Sequence, residues 1–493
     1  MATITINDYQ GGIAQNPEST VANQFAMGQG LDITTPHILT VNQKLKAVGS
    51  IALLKAVTVG LRSYGIGVSP NFYPGFTSSN VLYKRTSETS TTWGLYHTYF
   101  ASPPLHNLES FGDYALPVST GKIYKSYLPF SGTESNSYTG ETLSADANST
   151  TYPNIPMYND GVYIYIGSST KLDKYDLTTL SKDILELGDA YLITDITGDG
   201  NFIVLLSKPI SGGSPDRIYW WDGFSEHYNH KLDLPFTADC LGMVDNIIIV
   251  FGDQDGSIYQ VTPTGWSKVV DSTLLRIGNT PDQRSNVKAS GSGNYTGLQG
   301  IRNVPAVKAT TNFKNKLLYG QQDGDSLYKG IWSVGRIGNH IAVNYEWEID
   351  GDIYSINNRY LTPNTPPNIY VCCASGTYKV LDIDYSNKIT NAYYESLILD
   401  GGAPTITKRF DRITLETKPL PASCSILIKK KINGESSWAT IGTYSGTGRI
   451  KQNFTIPNSN IGENIQIRFD FTVSSNNAPE VKSYSIDYAP IRK

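Results

Sequence analysis

Apolar and polar positions alternate in a recurring unit between about residue 46 and residue 385. Each copy is an apolar strand, a polar turn and a second strand that carries a tyrosine. Successive copies lie 40 to 69 residues apart, which is typical of β-propeller blades of about four short strands each. The pattern predicts roughly six or seven blades. The tyrosines that close the copies are Tyr124, Tyr175, Tyr219, Tyr259, Tyr328 and Tyr378.

Turn-forming dipeptides separate these strands. Asp-Gly occurs seven times, and six of the seven lie inside the repeat region. Because Asp-Gly tolerates the positive φ angles of tight hairpins, the dipeptide supports a chain of antiparallel strands. The widest gap between copies contains the polar stretch 279–303, which is interpreted as an inserted loop.

The pattern changes after about residue 386. Several segments there alternate apolar and polar residues with a period of two, which predicts strands with one buried face. A length of about 100 residues in such strands suits a two-sheet sandwich, so residues 386–493 are predicted to form a C-terminal β-sandwich. The segments are 409–416, 425–430, 438–443, 464–473 and 481–488.

Residues 1–45 are interrupted by Gly or Pro every few positions. Such a segment is predicted to be an extended N-terminal arm, because neither a long helix nor a long strand tolerates these breaks. Its apolar residues are expected to dock on a neighbouring chain or across a ring rather than on each other. The proposed assembly residues are Ile4, Ile6, Ile13, Phe25, Leu31 and Ile33.

The amino-acid composition argues against some classes of binding partner. The formal net charge is -4 and only 17% of residues are charged, so sequence-specific nucleic-acid binding is not expected. No secretion signal and no apolar run of about 18 residues are visible, so no transmembrane segment is predicted. The four cysteines form no CxxC motif, which favours free buried thiols and assembly in a reducing cytoplasm.

Motifs for catalysis and for metal or phosphate binding are weak in this sequence. His227 and His230 follow Glu226 at a spacing that could hold zinc on a helix, but they come just after the predicted turn at Asp222. The segment beginning at Asp195 resembles a calcium loop only faintly and is better interpreted as a turn. No nucleophile elbow and no phosphate-binding loop occur, so no catalytic residue, metal or cofactor is predicted. The chain is predicted not to be an enzyme.

Aromatic residues within the blades offer one possible contact surface. Tryptophan can stack on a sugar ring, although most tryptophans in such strands pack in the core or between blades. The candidates for glycan or partner contact are Trp220, Trp221, Trp266, Trp332 and Trp347.

The two ends of the chain resemble a known family. The motifs 6–14 (INDYQGGIA), 30–33 (GLDI) and 36–41 (PHILTV), with the later segments at 410–416, 438–443 and 462–469, are similar to bacteriophage tail proteins of the β-propeller type. Pro36-His37 departs from the Pro-Gly of that family. The resemblance implies an arm, a propeller and a sandwich, and the length suits a nozzle protein in a ring below the portal and adaptor. It supplies no catalytic residues.

Three functional hypotheses follow. The leading one is a virion tail structural protein, a nozzle or tail-tip ring subunit that forms a homo-oligomer, contacts other tail proteins such as the adaptor or fibres, and contributes to tail assembly and DNA passage or host attachment. The second is a receptor-binding adhesin that holds a host surface glycan through propeller loops. The weakest is a propeller glycosidase, which would need two carboxylates about 5–9.5 Å apart across a pocket. The predicted location is the virion tail.

Overall fold

The computed structural model describes most of the chain. The described residues are 2–14, 23–50, 54–57, 73–77, 81–85, 94–98, 105–111, 114–119, 121–127, 140–144, 155–188, 190–210, 213–252, 257–270, 309–320, 330–337, 340–349, 352–359, 367–375, 377–457 and 460–491. Within these ranges the regular structure is entirely β, which confirms the predicted fold class. No helix in them is long and apolar enough to cross a bilayer.

Antiparallel sheets of four strands, and in one case five, follow one another along the chain. Sheet 1 contains β8 (Leu54–Val57), β9 (Tyr73–Thr77), β10 (Val81–Arg85) and β11 (Gly94–Thr98). Sheet 2 contains β12 (Leu105–Phe111), β13 (Tyr114–Ser119), β14 (Lys122–Ile123), β15 (Ser126–Tyr127) and β16 (Glu141–Thr142). Sheet 3 contains β17 (Met157–Asn159), β18 (Ile164–Ser168), β19 (Lys171–Tyr175) and β20 (Leu180–Glu186). In sheet 2 the short strand β15 pairs beside β13.

Sheets 4 to 7 repeat this arrangement. Their strands are β21 (Tyr191–Gly198), β22 (Ile203–Pro209), β23 (Arg217–Trp221) and β24 (His230–Asp233); β25 (Ala238–Val244), β26 (Ile247–Gly252), β27 (Ser257–Thr262) and β28 (Gly265–Val270); β29 (Thr310–Phe313), β30 (Lys316–Gly320), β31 (Gly330–Ile337) and β32 (His340–Glu348); and β33 (Asp352–Arg359), β34 (Asn368–Ser375), β35 (Thr377–Lys388) and β7 (Gln43–Ser50). The recurring sequence unit corresponds to the second and third strands of sheets 2 to 5 and of sheet 7, and its copy in sheet 6 begins with β30. Tyr328, which closes that copy, and the predicted loop 279–303 lie outside the described residues.

The seven sheets form a closed ring. The first strand of each sheet contacts the preceding sheet, and β8 of sheet 1 contacts β33 and β34 of sheet 7. The fourth strand of sheet 7 is β7, which comes from the N-terminal part of the chain and pairs antiparallel with β35. The ring is therefore closed by hydrogen bonds between the two ends of the propeller, from Gln43 to Lys388, slightly beyond the predicted limits of 46 and 385.

Short polar side chains join neighbouring sheets at the inner strands. Asp195 lies at a β-bulge of β21, and its carboxylate accepts a hydrogen bond from the backbone N–H of Leu241 in sheet 5, at 2.7 Å. Asn107 lies at a bulge of β12 and donates to the carbonyl of Ile155, at 2.7 Å. A bulge redirects a side chain away from its own ladder, which lets it satisfy a backbone group of the adjacent sheet.

Two further sheets form the sandwich. One has the order β1 (Ala2–Ile6), β43 (Val481–Pro490), β37 (Lys408–Thr417) and β40 (Lys451–Thr455), with β41 (Ile461–Gly462) also on β37. The other has the order β39 (Ala439–Tyr444), β38 (Ser425–Ile432), β42 (Ile465–Thr472), β36 (Tyr393–Glu395) and β4 (Met27–Gln29). The inner faces meet at Phe469 and Tyr484, whose rings lie 5.2 Å apart edge to face.

The N-terminal segment belongs to these sheets. Besides β1 and β4, it forms β2 (Gly12–Ile13) parallel to β3 (Gln24–Phe25), and β5 (Leu31–Asp32) antiparallel to β6 (Thr40–Val41). One continuous hydrophobic core runs from sheets 5 to 7 through this segment into the sandwich. The segment therefore connects the propeller to the sandwich of its own chain.

Candidate functional site

Four of the five candidate tryptophans lie inside the protein. Trp220 and Trp221 are 1% and 2% exposed, and Trp332 and Trp347 are also buried. Trp220 and Trp221 follow each other in β23, so their side chains leave opposite faces of sheet 4 and enter different hydrophobic clusters. The indole N–H of Trp347 donates to the carbonyl of Gln43, at 2.7 Å. The assignment of these four as surface contacts was wrong, because they fill the spaces between sheets.

Trp266 is the candidate that reaches the surface. It lies in β28 and is 45% exposed. Its ring packs edge-on against Phe236 and Tyr259, which stack on each other with centroids 3.7 Å apart. The ammonium of Lys268 lies over the ring of Tyr259 at 5.4 Å. Trp266 is thus held by an aromatic group beneath it while one part of its ring remains accessible.

A second exposed aromatic residue lies on the loop between β23 and β24. Phe224 is 92% exposed, the most exposed large hydrophobic side chain of the described residues. Phe224 was not predicted from the sequence as a contact residue, although it follows the turn Asp222-Gly223 and two tryptophans. The loop follows the third strand of sheet 4, as the turn before Trp266 follows the third strand of sheet 5, so both lie at the same end of the propeller.

Hydrogen bonds within the loop hold Phe224 in place. The carboxylate of Asp222 accepts bonds from the backbone N–H groups of Phe224 and Ser225, at 2.9 and 2.8 Å, and from the side chains of Ser225 and Asn229. These bonds hold the pKa of Asp222 well below its ordinary value, and the bond from the Ser225 hydroxyl contributes most. The indole N–H of Trp221 donates to the carbonyl of Ser225, at 2.7 Å. An anchored loop of this kind presents an aromatic ring with little loss of conformational entropy on binding.

The possible metal residues do not come together. Within the parts of the chain that the structure describes, no three His, Cys, Asp or Glu side chains form a potential metal site. His227 is exposed, and the ring of His230 packs against Phe202 at 5.9 Å. The carboxylate of Asp195 is engaged by backbone N–H groups, as described above, so this segment is a structural turn and strand.

The cysteines are buried. None of the four forms a disulfide bond, and burial raises the pKa of the Cys240 thiol and raises that of Cys372 to about 12. Because thiolates rather than thiols react with electrophiles and metals, these two thiols are unreactive at neutral pH.

The six proposed assembly residues all lie against their own chain. Ile4 and Ile6 are half-buried in β1, while Ile13, Phe25, Leu31 and Ile33 are buried in the core that links propeller and sandwich. These residues were expected to dock on a neighbouring chain or across a ring. In the structure they pack on the propeller and the sandwich of their own chain, because the segment adds short strands to sheets that already exist. A role for the segment in assembly stays a prediction.

Glycine is required where the segment meets the propeller. Gly12 has φ 70°, and a Cβ built there would lie 2.5 Å from the carbonyl oxygen of Val343 in β32. Gly30 has φ 65°, and its N–H donates to the carbonyl of Tyr345, at 3.1 Å. A side chain at either position would strain the backbone, and a Cβ at Gly12 would also push it away from β32.

A buried ion pair lies at the same junction. The carboxylate of Glu346 accepts hydrogen bonds from Lys316 at 2.8 Å, from Ser333 at 2.6 Å and from the amide of Asn42 at 2.5 Å. Asn42 and Asn344 also donate to the carbonyl of Leu31, at 3.1 and 2.9 Å. This network joins sheet 6 to the N-terminal segment and satisfies groups that would be costly to bury alone.

A cavity of about 100 Å³ adjoins the network. Lys314, Lys388 and Asp32 line it together with the ion pair. Burial lowers the pKa of Lys388, whose ammonium donates to the carbonyl of Val41 at 2.8 Å. Burial would raise the pKa of Asp32, but hydrogen bonds from Thr34 outweigh it and hold the pKa below its ordinary value. The charged groups here link the segment to the propeller.

Comparison with known proteins yields only distant structural likeness. No protein-family model and no curated protein matches the chain. Among solved structures, the WD40 β-propeller domain of Doa1 is 11% identical with a TM-score of 0.42, over 69% of this chain and 97% of that one. The β-propeller domain of Cps50 (Swd1) from Myceliophteria thermophila is 9% identical with a TM-score of 0.43, over 69% of this chain and all of that one. The strand topology described above therefore defines the chain as an all-β protein with a propeller and a sandwich.

Proposed function

We propose that this chain is a structural subunit of a bacteriophage tail, in a nozzle or tail-tip ring. The observation that carries the proposal is where the motifs of the resemblance lie in the fold. Residues 10–13 and 30–33 are among those that join the N-terminal segment to β32 and fill the core between propeller and sandwich. A motif at the junction of two domains fits the arm, propeller and sandwich that the resemblance implies.

The architecture supports the same role. Sheets 5 to 7 of the propeller, the N-terminal segment and the sandwich share a continuous core, so close packing fixes how these parts are placed. Such packing suits the wall of an assembly. The proposal therefore assigns no enzymatic activity, and among the described residues no specific observation favours the glycosidase hypothesis.

The test is the location of the protein in purified particles. Antibodies against the recombinant chain should label the tail of virions from the phage that carries the gene, and quantitative mass spectrometry should give a fixed copy number per portal ring. A capsid protein of the same particles serves as the control. Detection of the chain in the lysate but not in the purified virions would refute the proposal.

A receptor-binding role is the second candidate, and the exposed pair Phe224 and Trp266 favours it. Aromatic faces of this kind stack on the apolar face of a sugar. If the chain is an adhesin, binding on a glycan array should fall for Phe224→Ala and Trp266→Ala and persist for Val162→Ala, an exposed apolar control in sheet 3. Equal binding by all three variants, or no binding by the unmodified chain, would exclude this role for the two rings.

A further inference from the structure

Many open sheet edges in the described part of the chain carry features that discourage pairing with other chains. Charged side chains, bulges, short length and coverage by other strands are the usual protections, because an edge exposes unpaired N–H and C=O groups. Strands β11 and β39 pair across a bulge, β16 and β41 have two residues each, and β32 is covered by the N-terminal segment. Charges mark further outer strands: Lys44 and Lys46 on β7, Lys182 and Asp183 on β20, Lys231 and Asp233 on β24, Lys268 on β28, and Lys451 on β40.

Strand β1 has none of these protections. Its sequence, Ala2-Thr-Ile-Thr-Ile6, contains no charged residue and no proline. It pairs with β43 from Ala2↔Tyr488 to Ile6↔Tyr484 without a register shift. In the described part of the chain no strand pairs with its other side, and Ala2, Thr3 and Thr5 are exposed. The backbone groups along that side are therefore open to another strand.

The strand is also complementary to a second copy of itself. An antiparallel pair centred on Ile4 places Ile4 opposite Ile4, and Thr3 opposite Thr5, of the two copies. Cross-strand pairs between Thr residues and between β-branched residues stabilise a sheet, and no like charges oppose each other. Ile4 and Ile6 already pack on the core of the sandwich, so the apolar face would continue across the new pair. The register of such a pair is defined by this face.

We infer that β1 is the pairing edge of a two-fold dimer of this chain, in which the two β1 strands lie antiparallel and join two five-stranded sheets into one. The contact is isologous and closes on itself. It does not depend on the proposed tail function, because a ring of subunits requires a different, heterologous surface.

The experiment uses the full chain with any tag at the C-terminus. Sedimentation equilibrium of the unmodified protein should show a concentration-dependent dimer. Thr5→Lys and Thr5→Glu each place like charges within reach across the pair and should weaken the dimer by about tenfold or more. An equal mixture of the two variants should restore dimers, because the charges are then opposite. Thr443→Lys, at an exposed threonine of the bulged edge β39, should behave like the unmodified chain.

The mixture separates loss of pairing from loss of folding, since misfolded variants would not recover on mixing. A chain that stays monomeric at every concentration would overturn the inference. A dimer that Thr5→Lys leaves unchanged, or a mixture that fails to recover while both variants remain folded by circular dichroism, would overturn it as well.

Discussion

Trp220 and Trp221 are neighbours in the sequence but lie in different cores. Trp220 packs between sheets 4 and 5, and Trp221 packs between sheets 3 and 4. A strand buried on both faces makes this possible, because adjacent side chains point in opposite directions. The sequence shows that both residues are large and aromatic, but it does not show that both faces of β23 are covered. Only the ring of sheets decides this, and Trp266 differs because it lies on the outer strand β28.

Substitution should separate the buried from the exposed tryptophans. Trp220→Ala leaves a large cavity between two sheets, so we expect the free energy of unfolding to fall by about 3–5 kcal/mol. Trp266→Ala removes a partly exposed ring, and the loss should be about 1 kcal/mol or less. Urea denaturation followed by circular dichroism measures both. Similar losses for the two variants would contradict the difference in burial.

The ion pair of Glu346 and Lys316 gives a second residue-scale prediction. Their side chains are 3% and 10% exposed, so Glu346→Leu leaves an uncompensated ammonium in the core. We expect the free energy of unfolding to fall by about 3–5 kcal/mol, and the double variant with Lys316→Met to regain most of it. Chemical denaturation of the three proteins is the measurement. A double variant no more stable than Glu346→Leu would show that the buried charge is not the cause.

At the scale of elements, alternation predicted the sandwich strands well. The segments predicted at 409–416, 425–430, 438–443, 464–473 and 481–488 correspond to β37, β38, β39, β42 and β43. Each has one face on the core, so its period of two is visible in the sequence. Strand β40 was missed because Phe454 is its one buried apolar residue. The strands of the N-terminal segment were missed because two or three residues carry no period, and only pairing with distant strands makes them strands.

The attachment of β1 to the sandwich should depend on pH. Burial would raise the pKa of Asp487, but hydrogen bonds from the Thr3 hydroxyl and the Arg412 guanidinium outweigh it and hold the pKa below its ordinary value of 3.8. A carboxyl with a depressed pKa in the folded state stabilises that state above its ordinary pKa, and the contribution is lost as the pH falls through the lowered value.

Hydrogen exchange can measure this dependence. Amides of residues 2–6 should exchange faster, relative to those of β42, as the pH is lowered below about 3.8 after correction for intrinsic rates. Asp487→Asn should show fast exchange at neutral pH and little further change on acidification. If the unmodified chain and Asp487→Asn respond to acid in the same way, Asp487 does not control the attachment.

At the scale of the whole molecule, the N-terminal segment is part of the folded structure of its own chain rather than a projecting arm. It supplies an edge strand to each sheet of the sandwich, covers β32 and continues into β7, which closes the propeller. Repetition along the chain predicted the propeller, because each sheet repeats the same strand and turn chemistry. It could not predict the connection between propeller and sandwich, because that connection is made once by residues distant in sequence.

Deletion of residues 2–35 tests this view of the segment. An arm that docks only on another chain, as the sequence predicted, would leave a folded monomer that fails to assemble. The deletion removes Phe25, Leu31 and Ile33, each of them 0% exposed in the common core. Loss of one such side chain costs about 2–5 kcal/mol, and the total stability of a domain is about 5–15 kcal/mol. We therefore expect the truncated chain to lose cooperative unfolding in calorimetry and to aggregate.

Deletion of residues 2–6 alone, which removes only the outer strand β1, should keep a cooperative transition at a somewhat lower temperature. A stable, cooperatively unfolding monomer after the longer deletion would show that the propeller and the sandwich do not need the segment between them.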